Sequence, residues 1–204
     1  VILLATKPQD IAGVLREAAQ AAGSEPKLVI SIAAGVTVAA LEAACPESFR
    51  VIRAMPNLPA SAQRGATGAA AGQGVTGTQR AIADALLRSI GTVEWLDDEG
   101  LIDAVTAVSG SGPAYVFHLV ECLAAAGKQA GLPADIAERL ARATIEGAGE
   151  LLHQSPLSPA TLRQNVTSPA GTTAAGLSVL MGPLEPLIVE TVAAAKRRAE
   201  ELSG

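Results

Sequence analysis

Aromatic residues are nearly missing from this chain, with one Trp, one Tyr and two Phe in 204 residues. The core must therefore be built from Ala, Leu, Val and Ile, which favours Ala-rich, closely packed helices. Cysteine is equally scarce. Cys45 and Cys122 are too few and too far apart for a disulfide framework or a metal site, and both read as small buried hydrophobes. Positive charge is not in excess either. The net charge is −5 and the isoelectric point near 5.1, which argues against nucleic acid or an anionic membrane surface as the main partner. No apolar run reads as long enough to span a bilayer and no signal peptide is visible, so a soluble cytoplasmic protein without a membrane partner is expected. Hydrophobic residues at 49% and charged residues at 17% mark a chain that folds rather than stays disordered.

The chain opens on Val1-Ile2-Leu3-Leu4-Ala5-Thr6, which reads as a fully buried strand. Such a strand needs neighbours on both sides, so the sequence looks like one that starts in mid-fold. A helix follows from Lys7-Pro8-Gln9-Asp10, with Ile11, Val14, Leu15 and Ala18 on one face and Gly23 as its C-terminal cap. Leu28–Ile32 is a second buried strand, Thr37 caps a short helix running through Leu41, and Arg50–Met55 is a third strand stopped by Pro56. Ala66–Ala71 is a weaker fourth strand. Thr78–Ile90 reads as a helix with Ile82, Leu86 and Leu87 inward, and Thr92–Leu96 as the last strand before a boundary at Asp97-Asp98-Glu99-Gly100.

Strands alternating with helices at this spacing predict a parallel sheet covered on both faces. Ligands in such sheets bind beyond the carboxyl ends of the strands. Ala5-Thr6-Lys7, Ala33-Ala34-Gly35 and Pro56-Asn57 stand at three of those ends. Each alone fits an ordinary loop; three at one edge point to a binding crevice. Lys7, at that edge, suits a cofactor phosphate or ribose rather than the role of a base.

Beyond Asp98 the pattern is purely helical. Glycines in Ser109-Gly110-Ser111-Gly112 are expected to break a helix and Pro113 to restart it, with Val116, Leu119, Val120 and Leu123 on one stripe. Pro133 starts the next helix, with Ile136, Leu140, Thr144 and Leu151 along one face. Ser158-Pro159 caps a short helix, and Gly182-Pro183 launches the last one, with Leu184, Leu187, Ile188 and Val192 inward and Lys196, Arg197 and Arg198 in its final turns. Helices with so little large apolar surface gain most by packing against a second copy, so a homodimer through this half is expected. His118 and His153 each look isolated, without the acid or nucleophile that would signal a triad or a metal site.

Between these helices lies Val166-Thr167-Ser168-Pro169-Ala170-Gly171-Thr172-Thr173-Ala174-Ala175-Gly176-Leu177, a loop of small residues and hydroxyls feeding a helix start. Unpaired N–H groups and the positive end of the helix dipole suit a carboxylate or phosphate there. Gly171 permits close approach, and Thr172 and Thr173 add hydroxyl donors. An ordinary capped helix fits the same residues.

Five stretches together carry a family resemblance: Leu4-Ala5-Thr6-Lys7-Pro8-Gln9, Ser31-Ile32-Ala33-Ala34-Gly35-Val36-Thr37, Arg53-Ala54-Met55-Pro56-Asn57, Val108-Ser109-Gly110-Ser111-Gly112-Pro113-Ala114-Tyr115, and the loop just described. In that order, over essentially the whole chain, they resemble pyrroline-5-carboxylate reductase. The resemblance implies a Rossmann-like α/β nucleotide-binding domain over 1–98, followed by an all-α dimerisation and substrate-binding domain over 99–204, in dimers that commonly assemble into decamers. It implies NADPH or NADH at Ala5, Thr6, Lys7, Pro8, Ala33, Ala34 and Asn57. It places the substrate carboxylate on Ser168, Gly171, Thr172 and Thr173, completed across the dimer, with Thr173 as the catalytic candidate that hydrogen-bonds the imine nitrogen or the adjacent carboxylate. No metal is implied.

Three departures accompany the resemblance. The family's Gly-rich pyrophosphate loop, with the first βαβ part, would precede Val1, and the residue that selects NAD or NADP belongs to it. Ala170 stands where the family usually has Gly, tolerable short of a positive φ. Met181 replaces a usual polar or acidic residue, a change of packing more than chemistry. The competing readings are another two-domain dehydrogenase acting on a different imine or carbonyl, and a non-catalytic nucleotide-sensing scaffold.

Overall fold

The computed structural model describes residues 1–22 and 25–203; the expected cap at Gly23 lies outside them. Five strands form one sheet in the order β1 (Ile2–Leu4), β2 (Leu28–Ser31), β3 (Arg50–Met55), β4 (Gly65–Ala71) and β5 (Gly91–Leu96). The unbroken apolar run of β2 is buried throughout because it feeds two cores. Val29 packs with Leu4, Leu15, Leu41 and Val51 beneath α1 (Ile11–Ala22) and α2 (Val38–Ala43). Leu28 and Ile30 pack with Ile52, Ala69, Leu87 and Val93 beneath α3 (Gly77–Arg88). Within this chain, Leu4 of β1 enters the core and Leu3 is 60% exposed.

The expected all-parallel sheet is corrected. β1, β2 and β3 run parallel, but β4 pairs antiparallel with β3, and β5 follows β4 in parallel. The stretch between Met55 and Gly65 holds one short 3₁₀ turn (Leu58–Ala62), and a parallel crossover needs about a dozen residues or more. The chain can only turn back. α3 begins with a reciprocal cap in which Thr76 and Gln79 bond each other's backbone. Its buried positions are Ala83 and Leu87; Ile82 and Leu86, expected inward, are 41% and 50% exposed. Polar contacts explain the rotation: Trp95 Nε1 on β5 donates to Asp84 Oδ1 at 2.9 Å, and Arg80 lies over the same indole. Hydrogen bonds from Arg88 and Trp95 hold the Asp84 carboxyl below its usual pKa.

A buried cation ties the sheet to the next segment. Arg53 on β3 is 4% exposed. Its Nη1 donates to Glu99 Oε1 at 2.8 Å, and Nη2 lies 4.0 Å from Asp103 Oδ1. Glu99 Oε1 also accepts from Val38 N at 2.7 Å, reinforcing the Thr37 cap of α2. Asp103 lies in α4 (Ile102–Val105), which continues as a π turn (Thr106–Gly110) and then α5 (Gly112–Gln129). The glycines here do not break the helix as expected; it passes through them as a π turn.

The chain divides into two compact units, Val1–Pro113 with Val192–Gly204, and Ala114–Thr191. The first continues past the change of pattern at Asp98 because α4 packs directly on the sheet, where Gly68 leaves room for Val105. In the second unit, Gly127 of α5 lies close against Ala137 of α6 (Ala134–Gln154), where a Cβ would come within 3.2 Å of the Ala137 Cβ. Ala137 and Ala141 are the buried residues of α6. Ile136, Leu140 and Leu151, expected along its inner face, are exposed, as are Val116, Leu119 and Leu123 of α5. Small residues make the close helix contacts and leave the large ones outside.

α7 (Pro159–Asn165) starts at the Ser158 cap, and α8 runs without a break from Thr172 to Ser203. The expected start at Gly182-Pro183 is thus corrected. Pro183 and Pro186 lie inside α8; the carbonyls they leave without partners belong to Val179 and Gly182, both exposed. As one helix, α8 is long and apolar enough to cross a membrane by length and composition, which overturns the expectation that no such run exists. Leu184, Leu187 and Ile188 on it are exposed, not inward. Lys196 and Arg198 lie ahead of its last turn and pair with Glu200 and Glu201.

Candidate functional site

Parallel pairing brings the carboxyl ends of β1, β2 and β3 to one edge, as the strand-end residues predicted. Ala5, Thr6, Lys7 and Pro8 follow β1 and are exposed. Ala33 and Ala34 follow β2; Ala33 is buried in the first core, while Ala34 is exposed. Gly35 adopts φ +75°, and a Cβ there would lie 2.9 Å from the backbone oxygen of Leu202, near the end of α8. Ser203 Oγ donates to Asp103 Oδ1 at 3.2 Å. The end of α8 thus rests beside the loop after β2, a contact the sequence pattern did not disclose.

Asn57, after β3, is half-buried, and both ends of its amide are engaged. Oδ1 accepts from Ala66 N at 2.9 Å, and Nδ2 donates to the Ser109 carbonyl at 3.0 Å. The small, exposed residues at this edge fit the close backbone approach that a dinucleotide needs.

The second group of predicted residues is built at the start of α8. Thr167 Oγ1 donates to the Arg163 carbonyl at 2.6 Å, closing α7. Gly171 N then donates to the Ser168 carbonyl at 3.1 Å and turns the chain into the helix. A Cβ on Gly171 would fall 2.2 Å from Ser168 Oγ, so the Ser168 hydroxyl occupies space that only glycine leaves open. Ser168, Thr172 and Thr173 are exposed. The first N–H groups of a helix have no acceptor within it, and the exposed Ser168, Thr172 and Thr173 stand at this start of α8, a combination suited to an anion.

A sequence model described as pyrroline-5-carboxylate reductase dimerisation matches residues 99–202. Pyrroline-5-carboxylate reductase of Pseudomonas aeruginosa is 43% identical over 204 residues, covering 100% of this chain and 74% of its own length. The chain belongs to the pyrroline-5-carboxylate reductase family. Among solved structures, a pyrroline-5-carboxylate reductase from Coxiella burnetii superposes with a TM-score of 0.94 at 40% identity, over 99% of this chain and 75% of that one. The Plasmodium falciparum pyrroline carboxylate reductase with NADP bound superposes with a TM-score of 0.81 at 29% identity, over 100% and 77%.

Against that family, Ala170 has a consequence that its small size concealed. It sits at φ +59°, the conformation where glycine is at ease and alanine is not. Ala170→Gly is expected to raise the unfolding free energy by about 0.5–1 kcal/mol, relief of strain outweighing the added chain entropy. Urea denaturation monitored by circular dichroism checks it. Met181 is 49% exposed and lines a shallow hollow with Thr167, Ala174 and Leu177.

His118 is not isolated. Nδ1 lies 2.9 Å from Glu121 Oε2, and Nε2 lies 3.6 Å from Cys122 Sγ. Helix spacing of three and four residues brings the three together. Cys122 is exposed rather than buried. Among the described residues no group of three or more His, Cys, Asp or Glu is placed to hold a metal.

Proposed function

We propose that this protein is a cytoplasmic NAD(P)H-dependent reductase that converts 1-pyrroline-5-carboxylate to L-proline. The observation that carries the reading is the Ser168–Thr173 turn into α8, a helix start suited to an anion in a chain of this reductase family. The dihydronicotinamide, when bound, supplies the hydride that adds to the imine carbon. The NADP-bound Plasmodium relative supports that class of cofactor.

The protein's own contribution is position and charge. Backbone groups of Ala5, Thr6, Ala33 and Ala34 lie where a dinucleotide runs along the sheet edge, and Lys7 offers its ammonium to phosphate or ribose. Gly171, Thr172 and Thr173 hold the substrate carboxylate, so the reacting carbon is fixed before transfer. The imine nitrogen must gain a proton as the carbon gains hydride. In this reading Thr173 Oγ1 hydrogen-bonds that nitrogen or the neighbouring carboxylate, and water delivers the proton, since a Thr hydroxyl is too weak an acid. Exposed Val116, Leu119, Leu140 and Leu187 supply an apolar surface for a second copy, in a homodimer that completes the site and builds a decamer.

The test is oxidation of NADPH or NADH by the intact protein on addition of pyrroline-5-carboxylate. Turnover supports the reading. A folded protein of the correct intact mass that turns over neither cofactor overturns it, and proline that gives no thermal shift beside NADP then points to a scaffold. Thr173→Ala is expected to lower kcat/KM by roughly ten- to a hundredfold, the loss of one hydrogen bond to a charged group at about 1.5–3 kcal/mol. An unchanged value removes Thr173 from the site. Light scattering on the eluting protein should give at least twice the chain mass.

A further inference from the structure

The antiparallel ladder of β3 and β4 ends at the pair Met55 and Gly68, because Pro56 has no N–H and bends the chain away. Ala66 N lies beyond that last pair, and Asn57 Oδ1 accepts from it. The other half of the amide answers a second defect. In an α-helix the carbonyl of Ser109 would accept from residue 113, which is Pro113 and has no N–H. The helix widens here into the π turn, closed by Ser111 N donating to the Thr106 carbonyl at 2.8 Å, and the Ser109 carbonyl accepts from Asn57 Nδ2. Gly110 rests on the Met55 side chain, where a Cβ would lie 3.3 Å from Cε. One side chain therefore pins the π turn to the carboxyl end of β3, the edge at which open α/β sheets bind their ligands.

We infer that Asn57 is a positioning residue for the reduction, holding the Ser109–Gly112 backbone at the cofactor edge, and is not itself a ligand of the cofactor. The inference rests on the reductase reading. Regular helices hold themselves through their own ladder; this segment has lost a rung to Pro113, so the bond from Asn57 adds to the packing of α4 on the sheet in fixing its place against β3. A shift of about 1 Å in groups that frame a hydride transfer costs up to roughly a hundredfold in rate. Cofactor affinity, which comes from contacts spread along the edge, should barely change.

Asn57→Asp keeps the acceptor for Ala66 N and removes the donor to Ser109. In the intact protein it is expected to lower kcat at least about tenfold while leaving the Kd for NADPH, read by fluorescence titration, within about twofold. Amides of 106–112 should exchange with deuterium roughly tenfold faster, and those of β3 and β4 at the original rate. A weaker NADPH Kd with kcat retained, or unchanged exchange over 106–112, overturns the inference. The exchange result needs no substrate, so it stands even if pyrroline-5-carboxylate is not reduced. Should the variant not fold, nuclear magnetic resonance of the unaltered protein decides. Slow exchange of the Asn57 Nδ2 protons with and without NADPH supports the inference; protection that arrives only with NADPH overturns it.

Discussion

Gly91→Ala is expected to lower the unfolding free energy by about 3 kcal/mol or more, much of a domain's usual margin of about 5–15 kcal/mol. β4 and β5 begin their pairing at Gly65 and Gly91. A Cβ on Gly91 would fall 2.0 Å from the Gly65 oxygen and 2.5 Å from its nitrogen, and the residue sits at φ +147°. Neither neighbour is a flexible side-chain tip, so relief means parting two strands where they first meet. Gly13→Ala is the control: it lies in α1 with open space around it, and alanine there should add about 0.5–1 kcal/mol. The urea midpoints of the two variants should move in opposite directions. A midpoint for Gly91→Ala equal to the parent's would mean that the strands do not meet in this register.

The second large effect is expected at Arg53. Arg53→Met retains bulk but leaves the Glu99 and Asp103 carboxylates without the cation that lies beside both. Removing one partner of a buried ion pair costs about 3–5 kcal/mol; since Glu99 keeps some access to water, about 3 kcal/mol is expected. Arg53→Lys should fall between, because an ammonium cannot fork between two carboxylates. Glu99 also caps α2 through Val38 N, so amide exchange at the start of α2 should quicken in Arg53→Met. Loss of stability without that local change would place the cost elsewhere.

Features governed by adjacent residues were legible in the sequence. Thr37 caps its helix, Arg50–Met55 is a strand to the residue, and α8 begins at Thr172 after the loop that reads as an anion site. Features settled by distant partners were not. The inner face of α3 turns toward Ala83 because Asp84 and Arg80 meet Trp95 from another strand. Pro183 looks like a helix start, yet the helix passes through it where its unpaired carbonyls are exposed. The double role of Asn57 left one trace in the sequence, a proline four residues after Ser109, and its meaning depends on β3 lying alongside. His118 shows a different failure: its partners Glu121 and Cys122 are near neighbours, visible to anyone counting three and four along a helix.

The reversal of β4 also bears on how the sheet comes to form. Met55 meets Gly68 a short way along the chain, whereas Ile2 waits for Val29, Leu28 for Arg50 and Gly65 for Gly91. Short loops close at lower entropic cost and faster, so the hairpin of β3 and β4 is the natural nucleus, with the parallel strands added outward on both sides. Substitutions that weaken the hairpin should slow folding, and those at β1 or β5 should chiefly speed unfolding. The antiparallel step in the middle of the sheet is thus where assembly starts.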